Sequence, residues 1–255
     1  MSDRLQALLA SKNCREVCEA AVRRLWTEEL AKRRSEKEAD KAVRAAVHQM
    51  TGAFLTPEQL KTARGLLREY LSGREEALDE ALRLHASSRE RLPCAQALYA
   101  AIFEVTGRPE RILDLACGFN PLYLGAQGYR VTGYDVHKGA VELINEWANA
   151  CSWSVRALCA DLLGENAFER ADLALMMKLL PVLEQQKKGT GVRLLAEIPA
   201  AWRAVTFPLR TLGGRSVGME KHYSDWMEAN VPEGLTLHSR LIVDNELIYL
   251  FKEDC

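Results

Sequence analysis

The sequence predicts an α/β protein in which an all-helical N-terminal region precedes a mostly parallel sheet of seven strands. Up to about residue 107 the apolar residues recur with the period of amphipathic helices. After Gly107-Arg108-Pro109, short β-rich segments alternate with helical ones, which is the order that produces a parallel sheet covered on both faces. We therefore expect two domains, residues 1–107 and 108–255.

Three local signals indicate helices in the N-terminal part. The apolar residues of segment 22–30 fall on one helical stripe, and basic residues lie opposite them. Segment 56–59, Thr-Pro-Glu-Gln, has the form of a capping box with proline in the first turn. Segment 87–90, Ser-Ser-Arg-Glu, repeats the serine-to-glutamate spacing and predicts a helix that ends at Gly107.

Seven β-rich segments follow in the C-terminal part. They read RILDLA, RVTGYDV, SWSVRALC, ADLALMM, AWRAVTF, LTLHSRLIV and ELIYLFK. The last two are joined by a few residues around Asp244-Asn245, a connection too short for a helical crossover, so this pair should form an antiparallel hairpin. The C-terminal domain is therefore predicted to be Rossmann-like, with a C-terminal antiparallel hairpin.

Composition and charge exclude several classes of protein. The chain of 255 residues is 48% hydrophobic and 27% charged, as in ordinary globular proteins. It has no apolar segment near the ~20 residues of a membrane span and no signal-peptide core, so we expect a cytoplasmic protein without a membrane partner. Its 7 cysteines form no CxxC pair, which predicts a reducing compartment and no metal site. A net charge of −1 argues against nucleic-acid binding over the whole surface.

Acidic residues follow the first three strands, where ligands of open parallel sheets bind. Asp114 precedes a loop of small residues, Ala116-Cys117-Gly118, whose backbone can approach a ligand closely. Asp135 ends the second strand, where a carboxylate can accept hydrogen bonds from ribose hydroxyls. Asp161 and Leu162 end the third strand and suit the amino group and the face of an adenine. An aspartate at a strand end is also a common turn residue, so each acid alone leaves that alternative open.

The loop after the first strand indicates which kind of nucleotide would bind. A dinucleotide site favours G-x-G-x-x-G, which brings a helix N-terminus to the pyrophosphate. Here only Gly118 matches this pattern, and the following helix begins at Asn120-Pro121. The loop is better suited to an uncharged linker, as in S-adenosylmethionine, and the three acids together predict a methyltransferase.

The chain also resembles a known family in several segments. These are HASSRERL (85–92), ILDLACGFNPL (112–122), GYDVH (133–137), KLLPVLE (178–184) and FPLRTLGGRSVGME (207–220). They resemble the aminoglycoside-resistance methyltransferases that modify 16S rRNA at guanine N7, and the similarity covers nearly the whole chain. The resemblance implies a class I methyltransferase fold and methylation of guanine 1405 in the assembled 30S subunit, with S-adenosylmethionine as cofactor.

The resemblance further implies roles for individual residues. Arg89 would bind the methionyl carboxylate of the cofactor, and no residue is expected to act as a general base. The cofactor site would comprise Arg89, Asp114, Ala116, Gly118, Asp135, Asp161, Leu162, Lys178 and Leu179. Lys178, Pro181 and Glu184 would position the target base, while the rRNA would contact Arg23, Arg24, Lys32 and Arg33 of the N-terminal domain and Arg210 and Arg215 of the long loop.

Other interpretations remain open at this level. A basic helix face is more often a solvated surface than a docking site. Arg89 would also suit a pair with acids of its own helix, and Glu184 would suit an exposed position on a helix. An enzyme that methylates another decoding-site base, or a small molecule beneath a helical lid, would use the same cofactor site. An RNA-binding module with a vestigial sheet domain is the non-enzyme alternative. We expect a monomer.

Overall fold

The computed structural model describes residues 2–51, 54–209 and 218–254 of the chain. Within this part, the named elements before residue 107 are all helices, as expected. Two short 3-10 helices, Cys14–Glu16 and Leu92–Cys94, interrupt a series of α-helices. The α-helices are α1 (Asp3–Leu9), α2 (Glu19–Lys32), α3 (Glu36–Thr51), α4 (Pro57–Leu71), α5 (Glu76–Leu84), α6 (Ala86–Arg91) and α7 (Ala95–Thr106).

Two of the three predicted helix signals match the structure closely, because segment 22–30 lies within α2 and segment 56–59 begins α4. The side chain of Thr56 accepts a hydrogen bond from the Gln59 amide, and the Gln59 side chain accepts one from the Thr56 amide, which is the predicted capping box. Gly107 ends α7 with a φ of +75°, a conformation that glycine adopts without strain.

The helix predicted to run from segment 87–90 to Gly107 is instead divided. Its first part, α6, has His85 at the N-cap position, and the Ser87 hydroxyl bonds to the His85 ring rather than capping the helix. Pro93 lies in the 3-10 helix between α6 and α7. Because proline lacks an amide proton and clashes with the preceding helical turn, a continuous helix does not pass through this position.

The C-terminal part contains the seven predicted strands. They are β1 (Arg111–Leu115), β2 (Arg130–Asp135), β3 (Val155–Cys159), β4 (Ala171–Met177), β5 (Ala200–Pro208), β6 (Leu235–Val243) and β7 (Glu246–Glu253). Their order in the sheet is β3-β2-β1-β4-β5-β7-β6, with β1 to β5 parallel and β7 antiparallel to both β5 and β6. The predicted Rossmann-like sheet with a C-terminal hairpin is therefore confirmed.

Further helices accompany the strands. They are α8 (Asn120–Ala126), α9 (Lys138–Ala150), α10 (Leu180–Gln186), α11 (Thr190–Glu197) and α12 (Met219–Ala229). None of the helices in the described ranges is both long and apolar enough to cross a membrane.

The N-terminal helices do not all belong to one core. Residues of α1, α2 and α3 pack with one another in a cluster around Leu8, Val22 and Val43. In contrast, α4 and α5 share a cluster with α9, which includes Trp147, and α7 packs on β1. The division at residue 107 stays a prediction, and the packing places α4, α5 and α7 directly against the sheet region.

Candidate functional site

The candidate site lies at the carboxyl ends of the parallel strands, near the point where strand order reverses. The chain proceeds outward from β1 to β2 and β3, and then returns to pair β4 with the other side of β1. Open α/β sheets bind ligands at such a reversal, outside the carboxyl ends of the strands, which here is between the loops that follow β1 and β4. Asp114, Asp135, Asp161 and Lys178 lie at or just beyond these strand ends.

The loop after β1 holds the carboxylate of Asp135 in a fixed position. The amide of Gly118 donates to Asp135 Oδ2 at 2.9 Å, and the amide of His137 donates to Oδ1 at 2.8 Å. Each oxygen retains a further lone pair that can accept a hydrogen bond from a ligand hydroxyl. Ala116 has a φ of +53° and Gly118 a φ of +51°, so the loop turns in a conformation that L-residues adopt at a cost.

Gly118 is required by its contact with His85 as well as by its φ value. A Cβ atom at this position would lie 2.5 Å from His85 Cε1. His85 is buried, its ring lies near those of Phe54 and Phe119, and its Nδ1 is hydrogen-bonded to Ser87 Oγ at 2.9 Å. Burial lowers the pKa of His85 to about 4, against the opposing charge of Asp135, so the ring is neutral at neutral pH.

We expect Gly118→Ala to destabilise the protein by about 2 kcal/mol, because it adds left-handed strain and a clash with a buried ring. Gly128→Ala is the matched control, since Gly128 has a φ of +78° but no heavy atom within 4 Å of the added Cβ. That variant should show only the backbone strain, about 1 kcal/mol. Urea unfolding measures both, and equal losses in the two variants would contradict the proposed contact with His85.

Asp114 lies beneath the loop rather than at its surface. Its side chain is 1% exposed, and Asn120 Nδ2 donates to its Oδ2 at 2.6 Å. The hydroxyl of Tyr99 donates in turn to Asn120 Oδ1 at 2.5 Å. Burial raises the pKa of Asp114 to about 7, although the Asn120 hydrogen bond and the charge of Arg91 oppose this. Asp114 therefore supports the start of α8, and its predicted contact with a cofactor would be indirect.

Asp161 forms an ion pair with the N-terminal region. Arg24 Nε lies 2.6 Å from Asp161 Oδ2, and Arg24 Nη2 lies 3.2 Å from Oδ1. The amide of Leu163 also donates to Oδ1, at 3.2 Å. Leu162 is buried beside them. The structure thus places Arg24, which sequence analysis assigned to RNA, against the predicted adenine-binding acid.

Lys178 belongs to a cluster of charged residues at the end of β4. It has a φ of +55°, and its Nζ lies 2.7 Å from Glu90 Oε1 and 3.6 Å from Glu246 Oε1. Glu246 is buried and also pairs with Arg91, whose Nε lies 3.1 Å from the same oxygen. Burial would raise the pKa of Glu246, but the charges of Arg91 and Lys178 hold it below its ordinary value.

Glu246 and Arg91 were missed by the sequence analysis. A weak signal existed for Glu246, because it is the first residue of a strand that otherwise reads as continuously apolar, ELIYLF. No sequence pattern pairs it with Arg91, since the two residues are 155 positions apart.

The residues predicted to position a target base have different environments. Leu179 is buried at the start of α10, and Pro181 is half-buried in the first turn of that helix. The carboxylate of Glu184 accepts from the amides of Gly189, at 2.7 Å, and Gly191, at 2.8 Å. These contacts hold the start of α11, so a role for Glu184 toward a base rests on the family resemblance.

Of the other predicted RNA-binding residues on or directly after α2, Arg23 is half-buried, and Lys32 and Arg33 are exposed. Arg23 pairs with Glu19, and both Lys32 and Arg33 pair with Glu29. Exposed pairs of this kind contribute little to stability and exchange readily for other partners. Arg210 and Arg215 lie outside the described residues.

Arg89 lies on the exposed surface of α6. The alternative in which it pairs with an acid of its own helix is not favoured, because the adjacent Glu90 bonds to Lys178 and Asn245 instead.

The donors and acceptors of the site match the groups of S-adenosylmethionine. Carboxylate oxygens of the kind that Asp135 and Asp161 present can accept from hydroxyl and amino groups, and a guanidinium such as that of Arg89 can pair with a carboxylate. In the described part of the chain, no group of three or more His, Cys, Asp or Glu residues is arranged to hold a metal ion.

Comparison with known proteins gives consistent matches over nearly the whole chain. The family model described as ribosomal RNA methyltransferase (FmrO) matches residues 10–250. A protein of Serratia marcescens named 16S rRNA (guanine(1405)-N(7))-methyltransferase is 39% identical over 100% of this chain and 99% of its own. A Micromonospora echinospora protein of the same name is 34% identical over 97% of this chain and 95% of its own.

Solved structures agree with the sequence comparisons. The crystal structure of the 16S rRNA methyltransferase RmtF in complex with S-adenosyl-L-homocysteine is 50% identical and matches with a TM-score of 0.91, covering 99% of each chain. The structure of the 16S rRNA methylase RmtB is 36% identical, with a TM-score of 0.87 over 99% of this chain and 98% of that one.

Proposed function

This chain belongs to the FmrO family of ribosomal RNA methyltransferases, and we propose that it methylates N7 of guanine 1405 in 16S rRNA, which would confer aminoglycoside resistance. The observation that carries this proposal is the rim of the sheet, where Asp135 and Asp161 are held in place beside the Gly118 loop. The full-length similarity to relatives named for this reaction supports the same target.

The residues at the carboxyl ends of the parallel strands would hold the cofactor along its length. When bound, S-adenosylmethionine supplies an electrophilic methyl group on a positively charged sulfur. Asp135 would accept from the ribose hydroxyls, and Asp161 with Leu162 would hold the adenine. The backbone of Ala116 and Gly118 would approach the nucleoside closely, and Arg89 would pair with the methionyl carboxylate.

The chain needs no general base for this reaction. N7 of guanine carries a free lone pair at neutral pH, so no proton is removed before attack. The protein would act mainly by aligning the two reactants, which can lower the barrier by about 7–11 kcal/mol. Lys178, Leu179 and Pro181 follow β4 at the reversal point and would border the target base.

The charged cluster at the end of β4 also suits a base that becomes positively charged on methylation. Lys178 and Arg91 are compensated by the carboxylates of Glu90 and Glu246 at 2.7–3.6 Å. Paired cations of this kind repel a developing positive charge less than isolated ones would.

The N-terminal domain, residues 1–107, would dock on rRNA within the assembled 30S subunit, and residues 108–255 would carry the methyltransferase site. Arg23, Lys32 and Arg33 would exchange their glutamate partners on α2 for phosphate groups. We propose that the enzyme acts in the cytoplasm as a monomer without a metal ion.

The predicted basic loop, residues 209–220, provides a test of RNA contact. We expect Arg210→Glu and Arg215→Glu each to weaken 30S binding about tenfold. Each should also reduce the slope of log affinity against log salt concentration by about 1, the effect of losing one phosphate contact. Affinity for S-adenosylhomocysteine should not change. Arg130→Glu is the control, because Arg130 is exposed at the start of β2, at the opposite end of the sheet. Loss of cofactor affinity in the loop variants would contradict this division of roles.

Expression in an aminoglycoside-sensitive bacterium tests the proposed function as a whole. Cells that carry the wild-type gene should grow on gentamicin, and cells that carry Asp135→Ala should not. Purified protein should transfer a labelled methyl group to 30S subunits in preference to naked 16S rRNA. Methylation of a small molecule with none on 30S subunits would instead support the helical-lid alternative.

A further inference from the structure

Two adjacent arginines of α2 point in different directions and have different partners. The side chain of Arg23 is 39% exposed and pairs with Glu19, one turn earlier on the same helix. Arg24 faces inward, is 18% exposed, and forms a two-point ion pair with Asp161, which is 8% exposed. Glu28 contacts Arg24 from within the helix, with 3.2 Å between Nη1 and Oε1. The Arg24 side chain is therefore largely buried and contacts the sheet region, whereas the more exposed Arg23 side chain pairs within its own helix.

We propose that Arg24 is a positioning residue of the cofactor site, which holds the Asp161 carboxylate in the orientation that accepts the adenine amino group. The inference rests on the proposed function, because it requires that Asp161 binds adenine. It assigns to the N-terminal helical region a role in cofactor binding in addition to its proposed role on rRNA.

The hydrogen-bonding capacity of Asp161 supports this role. Oδ1 accepts from Arg24 Nη2 and from the Leu163 amide, both at 3.2 Å, so its two lone pairs are occupied. Oδ2 accepts only from Arg24 Nε, at 2.6 Å, among the described residues. One acceptor position on Oδ2 thus remains for a ligand donor. The planar guanidinium contacts both oxygens and so fixes the rotation of the carboxylate.

The charge of Arg24 is also needed where Asp161 lies. A carboxylate removed from water is unfavourable unless it is paired and hydrogen-bonded. Without Arg24, Asp161 would retain only the hydrogen bond from Leu163 among the contacts seen here, so its carboxylate would be free to turn toward solvent. That rotation removes the oriented acceptor from the adenine position.

The N-terminus of α2 is attached to the same part of the sheet. The amide of Cys18 donates to the Val136 carbonyl at 2.8 Å, directly after β2. Val17 forms a bridge with His137, whose amide donates to Asp135. These contacts and the Arg24 pair place α2 against the ends of β2 and β3, where the two halves of an adenosine would bind.

Calorimetric titration with S-adenosylhomocysteine tests the proposal without measuring turnover. We expect Arg24→Gln to weaken binding about tenfold, because one oriented, charge-assisted hydrogen bond is lost. Arg24→Lys keeps the charge but not the two-point contact, and should retain part of the affinity. Arg23→Gln is the matched control on the same helix and should bind as the wild type does. Thermal unfolding of each variant identifies those that fail to fold.

A second ligand separates a positioning role from a structural one. S-inosylhomocysteine carries an oxygen in place of the adenine amino group, so it should bind the wild type more weakly than S-adenosylhomocysteine. Arg24→Gln should reduce the ratio of the two affinities, and Arg23→Gln should not. Any general loosening of the fold would weaken both ligands equally and leave the ratio unchanged, which would overturn the proposal.

The double variant Arg24→Gln, Asp161→Asn distinguishes failure of this proposal from failure of the proposed function. Non-additive losses are expected, because Arg24 acts through Asp161. If Asp161→Asn weakens binding and Arg24→Gln does not, Arg24 has no positioning role and the cofactor site stands. If neither Asp161→Asn nor Asp135→Ala weakens binding, the cofactor site itself is wrong.

Discussion

Replacing Asp135 with alanine is expected to weaken S-adenosylhomocysteine binding about 100-fold, the largest effect on ligand affinity that the structure leads us to expect. The substitution would remove two hydrogen bonds between the Asp135 carboxylate and the ribose hydroxyls, each worth about 1.5 kcal/mol or more because the acceptor is charged. It would also release the amides of Gly118 and His137, which it holds at 2.9 and 2.8 Å. The substitution would therefore remove both the ribose contact and the hydrogen bonds that hold the Gly118 loop.

Two variants control for this result in a calorimetric titration. Asp135→Asn keeps the shape but loses the charge, and should bind with intermediate affinity. Asp172→Ala removes a carboxylate that likewise accepts from two backbone amides, those of Glu110 and Arg111, but at the opposite end of the sheet. It should bind the cofactor as the wild type does. If Asp135→Ala also retains full affinity, the ribose assignment is wrong.

Arg91→Met is expected to lower the free energy of unfolding by about 3–5 kcal/mol, since it leaves a buried carboxylate without its main partner. Glu246 is 2% exposed and Arg91 is 6% exposed. Lys178 at 3.6 Å compensates part of the charge, so we expect a value near the lower end, about 3 kcal/mol. Arg64→Met is the control, because the Arg64–Glu146 pair is exposed and should contribute about 1 kcal/mol or less.

The pH dependence of the Arg91→Met loss has a definite sign. In the wild type the pKa of Glu246 is lowered, so its contribution is present above its unfolded pKa and is lost as pH falls through the folded value. Without Arg91, we expect burial to raise the pKa of Glu246 in the folded variant above its value in the unfolded chain. The variant should therefore gain stability relative to the wild type as pH falls from neutral toward the unfolded pKa of Glu246. Urea unfolding at several pH values measures this. A difference that is independent of pH would contradict the ion-pair explanation.

The fold could be predicted because its signals are local. Each buried strand is a short apolar segment, the N-terminal helices have a clear 3.6-residue period, and Thr56 and Gly107 mark helix ends by mechanisms that involve only neighbouring residues. The family resemblance was likewise carried by contiguous motifs, and the family comparison confirms it. The exception was the α6–α7 helix, where the proline signal of Pro93 outweighs the serine-to-glutamate spacing.

The candidate site was less predictable, because its contacts join distant parts of the chain. The sequence identifies Asp161 as a strand-end acid, but its partner Arg24 lies 137 positions earlier, where its basic helix face predicted RNA binding. Asp114 was recognised too, yet its burial beneath Asn120 depends on how α8 packs. The capping of α11 by Glu184 depends on the turn at Gly189, which no helix period reveals.

Mapping the methylated nucleotide of 16S rRNA tests whether this chain modifies guanine 1405. Wild-type protein is incubated with purified 30S subunits and labelled S-adenosylmethionine, and the modified nucleotide is mapped by primer extension after cleavage at 7-methylguanine and by mass spectrometry of rRNA fragments. We expect a single new methyl group, on N7 of guanine 1405, and none when Asp135→Ala is used. A methyl group on another decoding-site base, or no methylation of the 30S subunit, would contradict it.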